Sequence, residues 1–79
     1  MDSVETRVKA VIGRVLKVDP ASLKGEDRFV EDLGAESIQS IELVAEFESE
    51  FDIEMDEDDA LTVKGVGDAV AYLARIVEE

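Results

Sequence analysis

At 79 residues the chain is sized for one small domain spanning 1–79, near the lower limit for a single core without staples. It has no cysteine and no histidine, which excludes disulfides and thiolate metal sites and removes the commonest general base. A net charge of −13 argues against nucleic acid and anionic membranes as partners.

The hydrophobic fraction of 46% is enough for a core. No apolar run approaches a membrane span, and the opening MDSVETRVKA has no signal-peptide h-region. The cytoplasm and a monomer are expected.

Periodicity predicts a first helix from Ser3 to Val18, with Val4, Val8, Val11, Ile12, Val15 and Leu16 on one face. Asp2 followed by Glu5 resembles a capping box. Asp19-Pro20 ends the helix, because the residue before proline avoids the helical region. A long loop follows, through Gly25 to Gly34. Leu23, Phe29, Val30 and Leu33 are expected to plug it into the core, and a loop of this length in so small a domain is often functional.

The second helix is predicted from Ser37 to Phe51. Leu43, Val44, Phe47 and Phe51 share one arc and form the core face. Gln39, Glu42, Glu46 and Glu50 lie opposite. Ile38, Ile41 and Ala45 form a third, apolar strip off the core face. The glutamates repeat at i, i+4, i+8, a spacing that weakens a helix by roughly 0.2–0.5 kcal/mol per pair. Folding gains nothing from such a stripe, so it is read as a binding feature.

A short third helix is predicted from Asp56 to Leu61, and a fourth from Val66 towards Val77. The fourth has Gly65 as its N-cap and Val66, Ala69, Val70, Leu73 and Val77 on its buried face. The expected fold is all-α: a small four-helix bundle with three long helices, a short third one, and a long loop between the first two.

The charge is strongly segregated. No lysine or arginine lies between Phe29 and Val63, and that window holds 13 acids. The other acids balance the 8 bases. A block of this kind steers basic partners to one face. Its crowding is also expected to raise carboxylate pKa values and to make stability grow with added salt.

Inside the window, FVEDLGAESI places Ser37 after a Gly-Ala turn at the head of the second helix. A solvent-facing hydroxyl there can be reached by another enzyme. Activation by the chain itself is not expected: with no histidine, only a lysine or a carboxylate could serve as base, and no lysine lies between positions 25 and 63. No residue is therefore read as catalytic. No dedicated metal site is read either. An EF-hand loop starting at Asp52 would place Glu54 and Asp56 well, but Glu57 occupies the glycine position and Val63 the bidentate glutamate position.

The segment EDLGAESIQSIELVAEFESEFDIEM resembles the central segment of acyl carrier proteins, usually EDLGADSL followed by an ELV-type helix and an EEF-type end. The first helix, the loop with Phe29, the short acidic third helix and the closing GVGDAVAYL match the family's order. The resemblance implies that Ser37 receives a 4′-phosphopantetheine arm from coenzyme A, through a phosphopantetheinyl transferase. It also implies a non-catalytic carrier of acyl thioesters in fatty acid, polyketide or specialised lipid synthesis, with acyl-loading and acyl-processing enzymes as basic partners. The implied docking residues are Glu36, Ile38, Ile41, Glu42, Ala45 and Glu48. The chain departs from the family pattern at Glu36 (usually aspartate), Ile38 (usually leucine), and Gln39 and Ser40 (often aspartate and threonine). A peptidyl or aminoacyl carrier shares the fold and arm, but Gly34-Ala35-Glu36 differs from its usual GG[HD]S-type residues. A cofactor-free acidic adaptor bundle is the remaining alternative.

Overall fold

The computed structural model describes residues 3–77. Four helices follow in chain order: α1 (Val4–Leu16), α2 (Ser37–Phe51), α3 (Glu57–Thr62) and α4 (Val66–Val77). A 3₁₀ turn, Pro20–Ser22, interrupts the first connection. The all-α bundle expected from periodicity is the observed fold.

Helix α1 is the central element and packs against both α2 and α4. Val8, Val11 and Ile12 of α1 meet Leu43 and Phe47 of α2 and Val66 and Leu73 of α4 in one buried cluster. Ser3 caps α1, its Oγ accepting from the Thr6 N–H at 3.1 Å. The predicted cap residue Asp2 lies outside the described residues. The helix stops at Leu16, two residues before the expected Val18. Lys17 turns left-handed at φ 59° and the Val18 N–H closes onto the Gly13 carbonyl at 3.1 Å, so a C-cap ends the helix before the proline can.

The long loop is tethered to the start of α4. The Phe29 N–H donates to the Lys64 carbonyl at 2.9 Å. In return, the Asp27 and Gly25 carbonyls accept from the Val66 N–H (2.9 Å) and the Gly67 N–H (2.8 Å). Those first N–H groups have no partner within their own helix, so the loop serves as the cap of α4. The approach is close: a Cβ on Gly65 would lie 2.7 Å from the Asp27 carbonyl oxygen. Leu23 and Phe29 are buried as expected and Leu33 is half-buried. Val30 departs from expectation at 55% exposure. The backbone bonds already anchor the segment, and Phe29 fills the space available.

Helix α2 has the predicted ends, and Leu43, Phe47 and Phe51 form its buried face; Val44, expected with them, is only half-buried and lines a hollow against α3. Helix α3 is shifted by one residue because Asp56 is its N-cap. Helix α4 buries Val66, Ala69 and Leu73, with Val70 half-buried. Val77, predicted to be buried, is 40% exposed alongside Ile76, because the last turn of α4 extends past the core.

The acid stripe of α2 also differs from expectation. Arg14 of α1 reaches Glu46 at 2.8 Å, and Arg7 reaches the Glu50 carboxylate at 3.1 Å and its carbonyl at 2.7 Å. The Arg7 guanidinium also stacks 4.3 Å from the Phe51 ring centre. Two of the three glutamates therefore join α1 to α2. The stripe contributes to the fold, and among the described residues Glu42 alone of the three has no arginine beside it.

Candidate functional site

Three backbone choices build the start of α2. Gly34 takes φ 71°, which reverses the chain at little cost only for glycine. Ala35 is then buried, its N–H donating to the Phe29 carbonyl at 2.8 Å. Glu36 is extended and serves as N-cap, and Gln39, on the first turn, turns back so that its Oε1 accepts from the Glu36 N–H at 2.9 Å. The Ser40 N–H closes the turn onto the Glu36 carbonyl at 3.0 Å.

Ser37 is consequently the first helical residue rather than the cap. It is exposed, and among the described residues its hydroxyl has no hydrogen-bond partner. The capping role of Gln39 is not among the sequence expectations. Its signal was present: a polar cap followed three residues later by glutamine is the capping-box spacing.

The acids around Ser37 are less bare than the base-free window suggests. Arg28, one residue outside it, lies 3.1 Å from Asp32 and 3.9 Å from Glu31. Asp32 also accepts from the Arg28 backbone N–H at 2.8 Å. That backbone donor first, and the guanidinium second, hold its carboxyl below the usual carboxylate range. Asp32 thus moves opposite to the rise expected from crowding.

Of the docking residues read from sequence, Ile38 and Ile41 stand 63% and 70% exposed. Glu36, Glu42 and Ala45 are exposed beside them. Glu48 is half-buried and also supports the fold. Its Oε2 accepts from the Met55 N–H at 2.9 Å, holding the chain after α2. Two further apolar side chains join this surface, Val30 at 55% and Leu61 at 64% exposure. Between α2 and α3 lies a groove of about 310 Å3, lined by Phe29, Val30, Ser40, Leu61 and Val63 among others. A second hollow of about 270 Å3, lined by Ile41, Val44, Ala60 and Leu61, adjoins it and shares Ser40. One helical turn separates Ser40 from Ser37.

The phosphopantetheine attachment site family matches residues 6–73 of the chain. A solved structure described as "a putative acyl carrier protein" from Mycobacterium tuberculosis superposes with a TM-score of 0.82 at 34% identity, covering 98% of this chain and 100% of that one. The acyl carrier protein from Enterococcus faecalis superposes with a TM-score of 0.76 at 30% identity, over 91% of each chain. The chain belongs to the acyl carrier protein family, carriers built on a phosphopantetheine attachment domain. The group this family bears is 4′-phosphopantetheine, attached covalently. The start of α2 fits such a group: an exposed, unengaged hydroxyl on a closed helical turn, with open space beside it.

Proposed function

We propose that Ser37 is the attachment residue and that the protein presents acyl groups to partner enzymes of fatty acid, polyketide or specialised lipid synthesis. The unengaged hydroxyl at the start of α2 carries this reading. The other serines are poorer candidates. Ser3 Oγ caps α1, Ser22 Oγ donates to the Asp19 carbonyl at 2.7 Å, and Ser40 and Ser49 lie within α2. When bound, the arm supplies a thiol that holds the acyl group as a thioester.

The chain's own residues position and advertise that group. Gln39 and Glu36 fix the turn, so the hydroxyl needs no reorganisation to be reached. With no histidine in the chain and no lysine near Ser37, the base that removes its proton is assigned to the transferase. Ile38, Ile41 and Ala45 offer partners an apolar strip, and Glu36 and Glu42 flank it with charge for basic patches. Glu48 adds to that field while its carboxylate holds Met55. Incubation with coenzyme A, magnesium and a broad-range phosphopantetheinyl transferase tests the assignment. The wild type should gain the mass of one arm and Ser37→Ala none. A single gain on Ser37→Ala would place the site elsewhere.

A further inference from the structure

Helix α3 is fixed differently from its neighbours. It buries no residue, and it lies between two open spaces. On one side is the apolar groove against α2. On the other, a polar cleft of about 310 Å3 separates it from α4, lined by Asp59, Thr62, Asp68, Tyr72 and Arg75 among others. The strap that contains α3 is pinned at both ends. Before it, the Met55 N–H is held by Glu48 at 2.9 Å, and after it the Lys64 carbonyl is held by the Phe29 N–H at 2.9 Å. From Asp56 to Val63, the one side-chain hydrogen bond to another element among the described residues is Tyr72 Oη to Asp59 Oδ2, at 3.1 Å.

We propose that Tyr72 is a positioning residue: its hydroxyl latches α3 to α4 through Asp59 and so sets how far the groove between α3 and α2 stands open. The idea rests on the carrier reading only in making that groove, one turn from Ser37, useful to the carried group. The latch itself follows from the geometry. Both strap ends are tied to the rest of the fold, so breaking the middle contact lets α3 swing and fray without unfolding the bundle, which opens turn bonds such as Ala60 N–H to the Asp56 carbonyl (2.9 Å) to exchange. The latch is half-buried, which protects it from competing water more than the exposed ion pairs are protected. The Tyr72 phenol, like any tyrosine, is a donor at neutral pH, and burial first and the Asp59 carboxylate second push its pKa further up.

Amide hydrogen exchange on the unmodified full chain tests the latch without requiring the arm, so its outcome is separate from that of the Ser37 assignment. Tyr72→Phe keeps the ring and removes only the hydroxyl. It should speed exchange of the α3 amides, from Ala60 to Thr62, by about tenfold, while the α1 amides change by less than about twofold. Asp59→Ala should do the same, and the double variant should be no faster than either single one. Asp59→Asn, which keeps an acceptor oxygen, should restore most of the protection. Unchanged α3 exchange in Tyr72→Phe would overturn the proposal. So would an equal acceleration in α1, α2 and α4, which would mark the hydroxyl as a general stabiliser.

Discussion

Ser37 shows how a hydroxyl at a helix start can be left without a structural bond. An N-terminal turn has N–H groups in need of acceptors, and serine is a favoured residue to satisfy them. Here Glu36 holds the cap position, its N–H donates to Gln39 Oε1, and the Ser37 hydroxyl, one residue inside the helix, stays unengaged. Asp32 makes a sharper, testable point at the same scale. Its carboxyl is held low first by a backbone N–H and second by a guanidinium, both from Arg28. Its pKa should therefore lie below the ordinary aspartate value of about 3.9. The sign follows from linkage: with a depressed folded pKa, the stabilisation is fully present above the unfolded pKa and is lost as pH falls through the folded one. Side-chain carboxyl NMR titration should give a low midpoint for Asp32, and Arg28→Gln should raise it only part of the way, because the backbone donor remains. A full return to the ordinary value would mean that the guanidinium acts alone.

Elements were legible in the sequence where a periodic face met a tethered end. Both ends of α2 and the inner faces of α1 and α2, Val44 excepted, follow from apolar spacing, because burial there is decided by the helix's own register. What spacing cannot carry is the partner of an exposed charge. Glu46 and Glu50 read as a stripe available for binding, yet Arg14 and Arg7, more than thirty residues earlier, pair with them. The exposure of Val30 escapes the sequence for a similar reason, since the bonds that hold its loop run to Lys64 and Val66, far along the chain. Of the candidate site, the exposure of Ser37, Ile38, Ile41 and Ala45 was readable. Gln39's capping, Glu48's bond to Met55 and the exposure of Val30 were not, because each depends on a contact. The pairing of the stripe changes what charge reversal should do. Glu42→Lys should lower the association rate with a basic partner enzyme, since an exposed unpaired charge acts on the encounter. Glu46→Lys should affect that rate less but lower stability by about 0.2–1 kcal/mol, the range for an exposed pair. Stopped-flow association and thermal melts separate the two, and equal rate losses with no melting difference would remove the case for pairing as the discriminator.

The whole molecule carries its surplus charge on the segment that holds the candidate site. Three arginines pair with four acids, Arg28 being shared by Glu31 and Asp32 while Arg14 and Arg7 meet Glu46 and Glu50, and the other acids of the Phe29–Val63 window have no basic partner among the described residues. The size of the molecule decides how these charges act. Its extents are 31 × 29 × 19 Å, and the Debye length is about 30 Å at 0.01 M salt but about 10 Å at 0.1 M. At the lower concentration every carboxylate is repelled by nearly every other. At the higher one that long-range repulsion is largely screened. The ion pairs, at 2.8–3.9 Å, lie well inside either length and lose much less. Repulsion is therefore relieved faster than attraction, and the melting temperature should rise between about 0.01 and 0.1 M sodium chloride. Magnesium at equal ionic strength should raise it further, because a divalent ion concentrates near a dense negative surface. Among the described residues no three acids gather to hold a metal, so the magnesium effect should be graded, with no saturating one-to-one heat in titration calorimetry. A melting temperature that stays flat or falls over this salt range would mean that the acids are too well solvated to repel. A stoichiometric heat would mean that they converge on an ion after all.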